Sequence, residues 1–207
     1  MPSLWVMRPS HHALIVIDVQ NDFCPGGALA VAQGDAIIAQ INALMAEFQT
    51  VVLTQDWHPA NHSSFAVNHA GAAPFSTVQM PYGAQTLWPS HCVQGTKGAA
   101  FHPALRSDLA HLVIRKGFRA AIDSYSALFE NDKTTTTGLA GFLRERGITA
   151  LTLVGLATDF CVAFSALDAA AQGFDVTVLQ DACRAIDLDG SLARQQQAMA
   201  AAGVVLA

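Results

Sequence analysis

The sequence predicts an α/β fold: a single domain with a doubly wound, mostly parallel sheet of about six strands and helices on both faces. Short runs rich in β-branched apolar residues recur along the chain, as is typical of buried parallel strands. Segments with helical periodicity separate several of these runs, which gives the β-α-β-α order of a doubly wound sheet. The length of 207 residues is enough to cover such a sheet on both faces.

The predicted strands follow one another along the whole chain. They are the apolar runs at 13–19, 50–54, 112–115, 150–155, 175–180 and 203–207. Ile37, Ile41 and Phe48 mark a helical apolar stripe after the first strand, and Phe160 and Leu167 belong to another after the fourth. No internal repeat of 20 to 50 residues is evident, so we expect one domain over residues 1–207. In this class of fold, ligands bind beyond the carboxyl ends of the strands.

The segment at about 56–100 departs from this alternation. It carries few strand or helix signals, yet it contains four of the eight histidines. Long irregular segments inside a compact domain are usually functional. We therefore expect this segment to be a metal-binding loop region of the same domain.

Composition excludes several classes of protein. The net charge is -5 and the basic residues do not cluster, which argues against a nucleic-acid partner. No apolar run is long enough for a membrane span, and the N-terminus lacks the pattern of a secretion signal, so we expect a cytoplasmic protein. The four cysteines lack CxxC spacing, which predicts reduced thiols. A homo-oligomer is compatible with the apolar composition, but no pattern specifies its symmetry.

Polar residues at the ends of three predicted strands form a candidate catalytic set. Asp18 ends the first strand, Lys116 follows the third, and Cys161 opens the helix after the fourth. Because these strand ends meet at one edge, an acid that accepts the thiol proton and a cation that balances it would lie beside a nucleophile. The helix start is expected to favour the thiolate. A buried Asp–Lys pair and a small apolar cysteine are the structural alternatives.

The segment after the second strand carries a candidate metal site. Asp56 and His58 are two residues apart, so on an extended backbone their side chains point the same way. His91 is a third candidate ligand, while His62 and His69 are available in positions that the sequence does not orient. An Asp with two His suits zinc, ferrous iron or manganese. Surface histidines are the structural alternative.

Several separated motifs resemble those of a known family and occur in its order over nearly the whole chain. They are IDVQNDFCPGGALAV, TQDWHPANHSSF, LWPSHCVQGT, KGF, DSYSA and GLATDFCV. In combination they resemble bacterial nicotinamidases of the isochorismatase-like hydrolase superfamily. The resemblance implies a catalytic triad and one divalent metal ion, zinc or iron before manganese. It assigns the triad to Asp18, Lys116 and Cys161, and the metal ligands to Asp56, His58 and His91.

The resemblance also implies roles that spacing alone does not indicate. A cis peptide between Leu156 and Ala157 would turn the Ala157 amide toward that of Cys161 and form an oxyanion hole. Ser64 falls where some relatives have a further metal ligand, so it is expected to hold a metal-bound water. Three aromatic residues align with pocket walls that pack against a flat ring: Phe23, Trp88 and Tyr125.

The implied activity is hydrolysis of nicotinamide to nicotinic acid and ammonia through a cysteine thioester, as in NAD salvage, with pyrazinamide as a second substrate. One alternative is another small-amide cysteine hydrolase of the same superfamily. A second is an inactive metal-binding scaffold. In a third, Cys161 is a metal ligand and not a nucleophile.

Overall fold

The computed structural model describes residues 7–207 and contains a six-stranded parallel sheet with the order β5-β2-β1-β6-β7-β8. The strands are β1 His12–Ile17, β2 Thr50–Asp56, β5 Leu112–Lys116, β6 Ala150–Leu156, β7 Asp175–Arg184 and β8 Val205–Leu206. The predicted fold class is confirmed, and each predicted strand is present with shifted ends. The N-terminal residues 1–6, which belong to the segment considered for a secretion signal, lie outside the described residues.

Four helices cover the two faces of the sheet. They are α1 Ile38–Met45, α2 Leu139–Glu145, α3 Ala163–Ala171 and α4 Ser191–Ala201. Successive side chains of a strand point to opposite faces, so Ile15 packs in one core and Leu14 in the other. The core around Ile15 includes residues of α2, α3 and α4, whereas the core around Leu14 includes residues of α1. Within residues 7–207, no helix is both long and apolar enough to cross a membrane.

The predicted loop region contains one regular element that the sequence did not indicate. A separate antiparallel hairpin is formed by β3 Thr77–Met80 and β4 Gly83–Thr86. Along β3, exposed residues alternate with half-buried ones, so the strand lacks a continuous apolar face. The hairpin contributes one buried polar side chain, Gln85, which donates to Asp123 Oδ2 at 2.8 Å and to the Tyr125 hydroxyl at 3.0 Å.

The two central strands approach so closely at their carboxyl ends that one position requires glycine. Gly155 of β6 has a φ of 118°, and a Cβ atom there would lie 2.1 Å from the carbonyl oxygen of Ile17 in β1. The next turns of the chain carry Asp18 after β1 and Ala157 after β6. Glycine therefore lets the two strands bring these turns together.

Candidate active site

A pocket lies at the carboxyl edge of the sheet, where the fold class predicts a ligand site. Its lining residues end or follow five of the six parallel strands, or come from the loop region: Phe23, Leu29, Asp56, His58, Trp88, His91, Asp123, Tyr125, Ala157, Phe160, Cys161 and Ile186. Apolar walls with a few converging polar groups are typical of sites for small molecules.

Asp18 is fully buried directly after β1, in a left-handed backbone conformation with a φ of 48°. The Thr54 hydroxyl donates to Asp18 Oδ1 at 2.6 Å and accepts the Asp18 backbone N–H at 3.1 Å. Asp18 Oδ2 lies 2.8 Å from Lys116 Nζ, but among the described residues it has no hydrogen-bond donor in good geometry. This oxygen is therefore the one available to accept a proton.

Lys116 connects the two halves of the site. Its buried Nζ lies 2.8 Å from Asp18 and 2.5 Å from Asp56 Oδ1, and it donates to the Ser124 carbonyl at 2.9 Å. It also lies 3.4 Å from Cys161 Sγ. Burial alone lowers the pKa of a lysine, but the two carboxylates outweigh it and raise the Lys116 pKa well above its ordinary value. The side chain is therefore a permanent cation.

Cys161 lies in a π-helical turn, Thr158–Val162, which leads directly into α3. Its Sγ and one oxygen each of Asp18 and Asp56 lie within 4.8 Å of one another. Burial, opposed by Lys116 and reinforced by both carboxylates, raises the pKa of the thiol well above its ordinary value. The expectation that the helix start favours the thiolate is therefore wrong for the resting site, and the thiol needs a base.

The two carboxylates on Lys116 differ in their proton affinity. Burial raises the pKa of Asp18 to about 6, although Lys116 opposes the shift. Burial acts in the same direction on Asp56, but Lys116 and His58 outweigh it and hold the pKa of Asp56 below its ordinary value. At neutral pH, Asp18 is thus an ionised group that can still take up a proton, and Asp56 is a fixed anion.

The backbone before Cys161 has the geometry that the resemblance implies. The peptide bond between Leu156 and Ala157 is cis, as expected. Ala157 and Cys161 both line the pocket, so their backbones border the same space. The role of their amides as an oxyanion hole stays a prediction.

The three predicted metal ligands converge at the other end of the pocket. One ligand atom each of Asp56, His58 and His91 lies within 4.8 Å of the others. The Nε2 atoms of the two histidines are 3.5 and 3.9 Å from Asp56 Oδ2. Atoms bound to one ion at about 2.0–2.2 Å are separated by distances on this order.

The orientation of both histidines fits metal binding. Nδ1 of His58 contacts the carbonyl of Gly117 at 2.8 Å, and Nδ1 of His91 contacts the carbonyl of Pro89 at 2.8 Å. With Nδ1 as the donor, each Nε2 presents a lone pair to the site. Burial lowers the pKa of His91 to about 4, which keeps it neutral. Burial opposes charge on His58, but Asp56 raises its pKa, and a bound cation would replace that proton.

Gly117 makes room for the His58 ring. A Cβ atom at position 117 would lie 2.3 Å from Cε1 of His58, and the φ of 65° at this position also favours glycine. The residues present therefore fit a divalent metal ion.

The remaining candidates in the loop region lie close to these ligands with other partners. His62 is buried and its Nδ1 contacts the Ser64 hydroxyl at 2.8 Å. One nitrogen of His62 also lies within 4.8 Å of ligand atoms of His58 and Asp123. His69 Nε2 contacts the Ser63 carbonyl at 2.7 Å. Ser64 thus orients His62, and its predicted role in holding a metal-bound water stays a prediction.

The three predicted aromatic residues all line the pocket. The Trp88 indole N–H donates to the Tyr125 hydroxyl at 3.1 Å, and Phe160 packs edge-on against the Trp88 ring at 4.9 Å. Phe23 contacts the His91 ring edge-on at 5.4 Å. A flat aromatic ligand would therefore meet aromatic walls on the path from the thiol to the metal ligands.

Four lining residues were not predicted from the sequence to line the pocket: Leu29, Asp123, Phe160 and Ile186. Phe160 was assigned only to a helical stripe, although its place beside Cys161 was a signal for the pocket. Asp123 begins the DSYSA motif, which also carries Tyr125. Leu29 and Ile186 are ordinary apolar residues on connections between elements, and nothing in the sequence separates them from core residues.

Comparison with known proteins agrees with the resemblance. Residues 12–207 match the isochorismatase domain family. The nicotinamidase of Acinetobacter baylyi is 58% identical over 204 residues, which are 99% of this chain and 95% of that protein. A solved structure of the nicotinamidase/pyrazinamidase of Acinetobacter baumanii has a TM-score of 0.95 at 59% identity, with 96% of each chain covered.

A second solved structure bears on the metal. The pyrazinamidase of Pyrococcus horikoshii, determined in complex with zinc, has a TM-score of 0.76 at 36% identity, and the match covers 95% of this chain and 98% of that one. Sequence and fold thus agree over almost the whole length. The chain belongs to the isochorismatase domain family.

Proposed function

We propose that the protein is a nicotinamidase, which hydrolyses nicotinamide to nicotinic acid and ammonia for NAD salvage, with Cys161 as its nucleophile. One observation carries the proposal: the buried thiol lies beside the Asp18–Lys116 pair in a pocket with aromatic walls. The proteins of Acinetobacter baylyi and Acinetobacter baumanii, named for this activity, support the choice of substrate. Pyrazinamide has a similar ring and the same carboxamide, so we expect it to be a substrate as well.

In the first half of the reaction, Asp18 acts as the base. Its Oδ2 accepts the thiol proton while Cys161 Sγ forms a bond to the carboxamide carbon. The oxyanion is stabilised by the N–H groups of Ala157 and Cys161. Asp18 then returns the proton to the amide nitrogen, the C–N bond breaks, and ammonia leaves a nicotinoyl thioester on Cys161.

In the second half, water attacks the thioester carbon and gives a proton to Asp18. The C–S bond then breaks, and the proton passes from Asp18 to the sulfur as nicotinic acid leaves. Lys116 stays charged throughout, because it faces two carboxylates in a buried site. It holds the Asp18 carboxylate in place and compensates its charge.

We assign a divalent ion to Asp56, His58 and His91, with zinc or iron preferred over manganese for a site with two imidazoles. When bound, the ion supplies an anchor for the ring nitrogen and so fixes the carboxamide beside Cys161. The aromatic walls of Phe23, Trp88 and Tyr125 hold the ring in the plane that joins the two ends of the pocket.

The test is ammonia release from nicotinamide by the purified protein and by Cys161→Ala. We expect the variant to lose activity by at least about 10³-fold while it stays folded. Cys183→Ala is the matched control, because Cys183 is a buried thiol outside the pocket, and it should retain turnover. Normal ammonia release by Cys161→Ala would rule out the proposed nucleophile.

Metal removal tests the anchoring role separately. Chelation should raise KM for nicotinamide, and a divalent ion added back should restore it, with metal content measured in the same samples. Full activity of a protein verified to be metal-free would exclude the proposed role of the ion in anchoring the ring. It would not contradict the proposed role of Cys161.

A further inference from the structure

Asp159 is a fully buried carboxylate two residues before Cys161, and the reaction proposed above does not use it. Burial of a charge is costly unless donors surround it. Asp159 Oδ1 accepts the N–H of Ile186 at 3.0 Å, Oδ2 accepts the N–H of Asp187 at 2.8 Å, and the Ser191 hydroxyl also donates to Oδ2. Ile186 and Asp187 belong to the connection between β7 and α4, and Ser191 is the first residue of α4.

This connection has an unusual backbone. Asp187 and Asp189 both adopt left-handed conformations, with φ values of 54° and 50°, and Gly190 follows with a φ of 77°. Residues other than glycine hold such conformations when surrounding contacts fix them. Asp159 accepts hydrogen bonds from residues 186 and 187 at the start of this segment and from Ser191 at its end. The carboxylate therefore holds this segment at both ends.

The clamped segment forms part of the pocket. Ile186 lines it, and it is the one lining residue that follows β7. The turn that carries Asp159 also carries Phe160 and Cys161, which both line the same pocket. Asp159 thus connects the turn that carries Cys161 to Ile186, which lines the pocket where a ring would bind.

We propose that Asp159 is a positioning residue that holds Ile186 against the substrate ring, and that Ile186 determines which substituted rings the pocket accepts. The inference rests on the proposed hydrolysis of nicotinamide. Among residues 7–207, Asp159 forms no hydrogen bond or ion pair with Asp18 or Lys116, so it acts on ring binding and not on proton transfer.

The test compares Asp159→Asn with the native protein in steady-state ammonia release. An amide can accept hydrogen bonds at only one of its two ends, so at least one donor from the segment loses its partner. We expect KM for nicotinamide to rise by roughly tenfold while kcat stays within about threefold. Asp168→Asn is the matched control on the adjoining helix α3, where the carboxylate pairs with Lys133 outside the pocket, and it should change neither constant.

Ile186→Ala tests the second half of the proposal. It should raise KM for nicotinamide and increase the relative kcat/KM for 5-methylnicotinamide, because it removes the wall that excludes a ring substituent. In the double variant with Asp159→Asn the two effects should be smaller than additive, since both act through the same wall. Fully additive effects, or a loss of kcat with unchanged KM in Asp159→Asn, would overturn the inference.

Folding is monitored by thermal unfolding of each variant. If Asp159→Asn does not fold, Ser191→Ala removes one of the three donors and should raise KM by a smaller factor; an unchanged KM in that variant then overturns the inference. A native protein that releases no ammonia from nicotinamide would instead refute the proposed function itself.

Discussion

The Thr54 hydroxyl lowers the pKa of Asp18, against the larger effect of burial, and Thr54→Val removes this hydroxyl while keeping the shape of the side chain. In the native site this hydroxyl donates to Asp18 Oδ1 at 2.6 Å, and both residues are fully buried. The bond stabilises the ionised carboxylate. Its loss should therefore raise the pKa of Asp18 above the native value of about 6.

The size of the shift follows from the energy of such a bond. A hydrogen bond to a charged group contributes about 1.5–3 kcal/mol, and one pKa unit corresponds to about 1.4 kcal/mol, so the shift is roughly 1–2 units. The proposed reaction requires ionised Asp18, so we expect activity to be lost as pH falls through its pKa. The acid limb of kcat/KM should move from a midpoint of about 6 to between about 7 and 8.

The assay is kcat/KM for nicotinamide between about pH 5 and 9, measured by ammonia release. Thr152→Val is the matched control: Thr152 is a buried threonine on β6, the other neighbour of β1, and its hydroxyl contacts His12 at 2.9 Å. Its acid limb should stay in place. An unmoved acid limb in Thr54→Val, or an equal shift in both variants, would refute the assignment of Asp18 as the base.

Two further substitutions test the centre of the site. Lys116→Met leaves two buried carboxylates without their cation and should lower the free energy of unfolding by about 3–5 kcal/mol in urea titration. The surface ion pair of Lys133 with Asp168 contributes less than about 1 kcal/mol to the free energy of unfolding, so Lys133→Met is the control. An equal loss in both variants would contradict the role of Lys116 in pairing with both buried carboxylates. Gly117→Ala should displace the His58 ring and reduce bound metal, as measured by elemental analysis. Gly141→Ala, which meets no atom within 4 Å, should bind metal normally; unchanged metal in Gly117→Ala would show that the ring can move aside.

The sequence alone was sufficient to predict which polar residues lie at the strand ends. Asp18 and Lys116 interrupt or follow long apolar runs, and polar residues in such places are conspicuous. Their contacts were not predictable, because the strand order β5-β2-β1 places Lys116 beside both carboxylates, and no local pattern encodes that order. The contact of the Thr54 hydroxyl with Asp18 was not predictable either. It depends on the same strand order, and in the sequence Thr54 looks like an ordinary strand residue.

The errors had physical causes as well. The hairpin around Gln85 was missed because it has little apolar character and is tied to the rest of the chain by polar contacts to Asp123 and Tyr125. The expectation that the start of the helix favours the thiolate did not include the burial of Cys161. In the structure, burial raises the pKa of the thiol; Lys116 opposes this shift and the two carboxylates reinforce it.

From the position of the Lys116 ammonium we expect proton uptake by Asp18 and metal binding at Asp56 to be coupled. Lys116 contacts both the proposed proton acceptor Asp18 and the predicted metal ligand Asp56. Any factor by which a bound cation changes the proton affinity of Asp18 must equal the factor by which protonation of Asp18 changes the affinity for that cation. Metal binding measured across the acid limb would therefore report the same coupling energy as the pH profiles of metal-loaded and metal-free protein.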